Sequence, residues 1–222
     1  MEIIDLSMPV DQGHFRWPVD RGKKGDFAEG NVFEASWLST SCHGFTHMDA
    51  PHQMVPGGPT LDDLDLARVV GRAAVIDLSN IQPNEEITAT RLAAAADHLQ
   101  RGEIALFRTG WDQHRNWHEE AFWRDSPYMS REAAEWLLDR DPTACAFDFP
   151  QDYTIRLLLD GEVRPVEEHV THDVLLRNNV TLIEYLVNTL AVPGPHTFLS
   201  ALPIRMTGSD GAPARVIAIE GL

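Results

Sequence analysis

Between Ser41 and Gln53 the chain runs Ser-Cys-His-Gly-Phe-Thr-His-Met-Asp-Ala-Pro-His-Gln, which brings His43, His47, Asp49 and His52 into one short segment. Imidazole nitrogen and carboxylate oxygen are the donors that zinc, manganese and iron(II) share, so His43, His47 and Asp49 are candidate ligands of a divalent ion. Two histidines four apart suggest a helix, as in His-Glu-x-x-His proteases, but Gly44 lies between them and Pro51 follows closely. The segment is therefore expected to be bent, extended chain. In a straight strand His43 and His47 would stand roughly 13 Å apart at about 3.3 Å per residue, so a turn is expected near Gly44. His47 and Asp49, two residues apart, then share a face.

The remaining donors must come from elsewhere. Val166 to Leu176 has a helical pattern, with Thr171 as candidate cap and Leu175 and Leu176 as core anchors. Glu184 is an ionisable group within the apolar, strand-like run Val180 to Val187, where an uncompensated carboxylate is costly. His172 and Glu184 are thus candidate ligands, the alternative for Glu184 being an ion pair with Arg or Lys. His169 and His98 are expected to be solvated.

The elements that must position these groups alternate along the chain. Ile3 to Met8 and Asn31 to Ser39 have strand-like patterns, the second leading into the histidine segment, and Arg72–Leu78, Ile104–Phe107 and Ala144–Phe149 are buried-type strands. Between the first two lies an Asp11 to Pro18 loop whose Phe15 and Trp17 either cover a pocket or pack beneath the surface. A turn is expected at Val55–Pro59 and a helical turn at Leu61–Leu64. Helices are expected over Arg91–Leu99, capped by Thr88 or Thr90, and over Arg131–Leu138, capped by Ser130, with a long irregular stretch after Arg108. Strands alternating with helices indicate an α/β fold, and 222 residues without a linker or repeat suit one domain over 1–222.

Charge narrows the partners. Acidic residues outnumber basic ones by 34 to 18, which argues against nucleic acid or an anionic membrane as partner and for a small-molecule substrate of a soluble protein. Two cysteines, Cys42 and Cys145, are too few for a disulfide framework, the first residues lack a signal-peptide pattern, and no apolar run has transmembrane length. A reducing, cytoplasmic setting is expected.

The signature formed by His43, Thr46, His47, Asp49 and Pro51, with His172, Leu175 and Leu176, and Glu184 twelve residues after His172, resembles that of the cyclase family of metal hydrolases, which includes bacterial kynurenine formamidase and isatin hydrolase. Arg108-Thr109-Gly110-Trp111 and Phe147-Asp148-Phe149-Pro150 extend the resemblance over nearly the whole chain. It implies a swivelling β/β/α domain with a mixed, barrel-like sheet and flanking helices. It also implies one or two divalent ions per subunit, zinc first and manganese as the alternative. His43, His47 and Asp49 would hold one ion, and Asp49, His172 and Glu184 the second, for water attack on a non-peptide amide or lactam. Subunits would associate as a homodimer or homotetramer, with Phe15, Trp17 and Phe45 beside the substrate.

Two departures stand out. Gly44-Phe45 replaces the family's x-Gly, and the family's final histidine, its acid/base, falls on Gln53. Glutamine does not shuttle protons near pH 7. In extended chain Gln53 shares the face of His47 and Asp49 while His52 points away; Pro51 interrupts regular pairing, so His52 is expected to swing in as acid/base with Gln53 positioning. A metal-loaded binder of weak activity and a metal-dependent lyase or dehydratase are the alternatives.

Overall fold

Every residue from Met1 to Leu222 is described by a computed structural model. In chain order the elements are β1 (Glu2–Asp5), β2 (Asp20–Gly25), β3 (Ala35–Ser39), β4 (His47–Asp49), β5 (Val70–Asp77), β6 (Glu86–Ile87), α1 (Ala89–Ala95), β7 (Ile104–Arg108), α2 (Trp111–His114) and α3 (Glu120–Arg124). They continue with β8 (Tyr128–Met129), α4 (Arg131–Asp139), β9 (Ala144–Ala146), α5 (Thr154–Leu158), α6 (Val170–Val174), β10 (Thr181–Glu184), β11 (His196–Pro203) and β12 (Gly211–Glu220).

The apolar alternation of the central strands explains their arrangement. Ala73 and Val75, Ile104 and Leu106, and Ala144 and Ala146 join one core with Met48, Ile183, Leu199 and Val216. Their neighbours Ala74, Ile76, Ala105, Phe107 and Cys145 join another with Leu92, Trp123, Ala133 and Leu137 from the helices. A strand buried on both faces needs a layer on each side. The sheet supplies one by closing on itself. Its order is β1-β12-β11-β5-β7-β9-β10-β4, and β12 also pairs with β4, so seven strands form a closed barrel filled by small residues. β5, β7, β9 and β10 run parallel, and the others are antiparallel to their neighbours. The fold is thus mixed α/β with a barrel-like sheet and flanking helices.

Caps at Thr88 and Ser130 form as their residue types predict, accepting from the backbone N–H groups of Arg91 at 3.3 Å and Ala133 at 3.1 Å. Three expectations are corrected. The strand before the histidine segment starts at Ala35, and it pairs with β2 in a separate ribbon. The stretch after Arg108 contains α2 and α3, which have no side-chain cap and are held by burial of Trp111, Phe122 and Trp123. Thr171 is not a cap: it lies buried inside α6, and its N–H donates to the Asp152 carboxylate at 2.8 Å. No helix is long and apolar enough to cross a membrane.

Candidate metal centre

The chain turns into β4 at Phe45, whose φ of 57° lies in the left-handed region. A bulky residue there is strained. Burial of its ring, 4.9 Å from that of Trp17, offsets the cost. Gly44 carries the close approach, since a Cβ there would meet the Trp17 ring at 3.3 Å. The turn directs His43 back over β4, where Gly211 of β12 leaves room for it: a Cβ on Gly211 would lie 2.4 Å from His43 Cε1.

On β4, Met48 points into the barrel, so His47 and Asp49 face outward. β10 runs antiparallel beside it in a register that sets Glu184 directly opposite His47. α6 brings His172 over the same surface. His47 Nε2 stands 3.2 Å from Asp49 Oδ1 and 3.6 Å from Glu184 Oε2; His172 Nε2 stands 3.4 Å from Asp49 Oδ2 and 3.5 Å from Glu184 Oε1. His43 Nδ1 is 2.7 Å from Asp49 Oδ1. The donors form two triads, His43/His47/Asp49 and Asp49/His172/Glu184, with the atoms of each within 4.8 Å of one another and Asp49 common to both. Glu184 has histidines for neighbours and not the Arg or Lys that its alternative requires.

Outer contacts fix which nitrogen each ring presents. His47 Nδ1–H donates to the Phe45 carbonyl at 2.9 Å and His172 Nδ1–H to Asp152 at 2.7 Å, leaving both Nε2 atoms directed at the carboxylates. His43 Nε2 contacts Asp210 at 2.9 Å, and Gln151 donates to Glu184. Orienting partners of this kind accompany metal-bound histidines. Burial disfavours protonation of His43, but hydrogen bonds and charge from Asp49 and Asp210 outweigh it and raise the ring to about 9. His172 is likewise held well above its ordinary value: burial is outweighed by Asp152, Asp49 and Glu184. Asp49 lies well below the usual range, because the three imidazoles overcome its burial. The cluster therefore carries an excess of negative charge and demands positive charge. Asp49 Oδ2 is buried without a hydrogen-bond partner. Donor chemistry, shared carboxylate and charge all fit a divalent ion.

His43, His47, His172 and Glu184 border a cavity of about 230 Å³ whose wall also includes Arg16, Gln53, Met54, His169 and Tyr185. Gln53 faces it. His52 does not: Pro51 starts a 3₁₀ turn, Pro51–Gln53, that leaves His52 exposed, and its expected inward swing is corrected. Phe15 is 44% exposed at the surface, while Trp17 and Phe45 are buried behind the wall, so Arg16 is the member of that loop bordering the cavity. His169 is half-buried, with the Thr154 hydroxyl 3.0 Å from Nδ1, and His98 Nε2–H donates to the Val75 carbonyl at 3.1 Å; neither is simply solvated. Asp152 and Asp210 carry no spacing signal that ties them to the histidines. Gln151-Asp152, polar residues directly after a core strand, offer the nearest thing to one.

Residues 4–151 match the family model described as "Putative cyclase". A kynurenine formamidase of Bacillus cereus is 27% identical over 220 residues, covering 97% of this chain and 96% of its own. An isatin hydrolase of Roseibium aggregatum is 29% identical over 232 residues, covering 96% of this chain and 86% of its own. The solved structure of a predicted metal-dependent hydrolase from Bacillus stearothermophilus is similar with a TM-score of 0.75 at 27% identity, covering 98% of this chain and 97% of that one.

Proposed function

Since the chain belongs to the cyclase family, we propose that it is a metal-dependent hydrolase that cleaves the carbon–nitrogen bond of a small, non-peptide amide or lactam. The observation that carries this is the pair of donor triads sharing Asp49 beside the cavity. His43, His47 and Asp49 would hold one ion and Asp49, His172 and Glu184 a second, with zinc first and manganese as the alternative. A bound divalent ion supplies acidified water and polarises a carbonyl. Phe45 and Asp152 hold His47 and His172 in the tautomers that present Nε2. Gln53, whose Oε1 is buried without a partner, positions the amide. Departure of the nitrogen needs a proton. His169 is the cavity-lining imidazole outside both triads, and we assign that proton to it.

Substrate size follows from volume. A cavity of about 150 Å³ accepts benzene, so 230 Å³ suits one substituted aromatic ring. Kynurenine formamidase and isatin hydrolase among the relatives support an aromatic amide or lactam. Gln53 at the position of the family's histidine favours a second function, a metal-loaded binder of weak activity. One experiment separates them: turnover of N-formyl aromatic amines, isatin-like lactams and cyclic imides by chelated protein and by protein reloaded with zinc or manganese. Hydrolysis that vanishes on chelation and returns on reloading is expected. Binding without hydrolysis by the loaded protein would favour the binder.

A further inference from the structure

We propose that Arg16 is a specificity-determining residue that recognises a carboxylate on the substrate, so that the preferred amide is an anionic, carboxylate-bearing one. The reaction in this proposal rests on the hydrolase function above; the recognition does not.

Cations are scarce in this chain, 18 against 34 acidic residues, and most of its arginines are paired with Asp or Glu. Arg16 is not. Glu184 borders the same cavity, yet it and Asp49 face the three histidines and form no ion pair with Arg16. The guanidinium rests instead on aromatic faces, its Cζ 4.4 Å from the centroid of Trp123, 5.3 Å from Trp17 and 5.6 Å from Tyr185. Those rings are themselves locked together, Trp123 lying 5.0 Å from Trp17 and 4.9 Å from Tyr185. The backbone N–H of Arg16 donates to His14 Nδ1 at 3.2 Å, which fixes the loop. Cation–π contact holds a guanidinium by its face and leaves its edge, where the N–H donors lie, free for a planar acceptor.

One donor makes the demand explicit. Arg16 Nη1 is buried and has no hydrogen-bond partner in the protein, although buried donors are normally satisfied. A carboxylate meets the guanidinium edge with two parallel hydrogen bonds, a geometry that a neutral amide does not reproduce. A single ring bearing both an amide and a carboxylate fits the cavity volume. The sequence places Arg16 between Phe15 and Trp17, which draw attention as substrate contacts, yet the structure turns one to the surface and buries the other behind the arginine.

The test compares two compounds that differ by one carboxylate, 2-formamidobenzoate and formanilide, on the metal-loaded wild type and on Arg16→Gln. The ratio of kcat/KM for the acid over the neutral compound is expected to fall by roughly 10- to 100-fold in Arg16→Gln, the worth of a charge-assisted bidentate contact. Arg16→Lys keeps the charge without the fork and is expected to show a smaller fall, which also serves if the glutamine variant does not fold. A ratio unchanged within about 2-fold in both variants would overturn the proposal, as would an equal loss for both compounds, the signature of a merely structural arginine. Calorimetric binding of the same two compounds is a readout independent of turnover. If neither compound is hydrolysed, the hydrolase function is decided on the lactams and imides, and the ratio of the two compounds' dissociation constants still decides the role of Arg16.

Discussion

His52 and Gln53 are adjacent, and one dihedral habit decides which of them meets the substrate. Parity in extended chain gives Gln53 the face of His47 and Asp49. In the 3₁₀ turn that Pro51 begins, successive side chains are separated by about 120°, and His52 is carried out to solvent. His52→Ala is therefore expected to keep turnover within about 2-fold, whereas His169→Ala lowers kcat by about 10² to 10⁴ with metal content intact, as loss of a general acid does; stopped-flow assay plus elemental analysis checks both. Asp148 is a different kind of residue, fully buried and accepting from Thr109 N–H at 2.8 Å, Gly110 N–H at 2.8 Å and the Thr109 hydroxyl at 2.8 Å. Burial pushes its carboxyl up from 3.8 to about 6 against these donors. A raised acid stabilises the fold fully below about 4 and loses that contribution as pH rises to about 6. The stability difference between wild type and Asp148→Asn should thus narrow by roughly 2 kcal/mol between pH 4 and pH 6; urea unfolding at the two pH values measures it, and a widening gap would show that the hydrogen bonds prevail. The ligand candidates were legible because His43, His47, Asp49, His172 and Glu184 are chemically distinct from their surroundings. Arg16 was not, since nothing in an arginine's identity says which side of a loop it takes.

α6 shows how an element of five residues can be held in place from outside. It is too short to be stable alone, and its first turn is satisfied by Asp152, which accepts from the Thr171 N–H and from His172 Nδ1–H with its two oxygens. Removing that carboxylate loosens the helix start and the ring together. Asp152→Ala is expected to weaken metal binding by about 10- to 100-fold, read by competition with a chromophoric chelator, and to speed amide exchange in α6 while β10 stays protected. An unchanged metal affinity would mean that His172 does not depend on Asp152. The same physics explains what could be read at this scale. β5, β7 and β9 are apolar through both faces and announce themselves, and α1 and α4 carry their own Thr88 and Ser130 caps. α2, α3 and α6 lack such local signals, because the contacts that fold them lie far away in sequence.

For the whole molecule, strands alternating with helices indicated an α/β protein and the family resemblance a barrel-like sheet, but closure depends on β12 meeting β4 across more than 160 residues, and no local pattern encodes that. Assembly is also a property of this scale. With Trp17 buried, the exposed apolar side chains include a group in and around the β2–β3 ribbon, Phe27, Val32, Phe33, Trp37 and Leu38, and such a grouping marks interaction surfaces. We propose that this ribbon contributes to a homodimer or homotetramer; light scattering at micromolar concentration should give at least twice the chain mass, and a monomer would refute it. The metal centre itself is tested by titrating zinc or manganese into chelated protein while following hydrolysis of a formanilide. Activity should be absent at the start, rise in proportion to bound metal, saturate at one or two ions per chain, and fail to appear in Asp49→Ala, which loses the carboxylate common to both triads. Full turnover by the stripped protein, or wild-type metal binding by Asp49→Ala, would contradict a metal-dependent hydrolase built on Asp49.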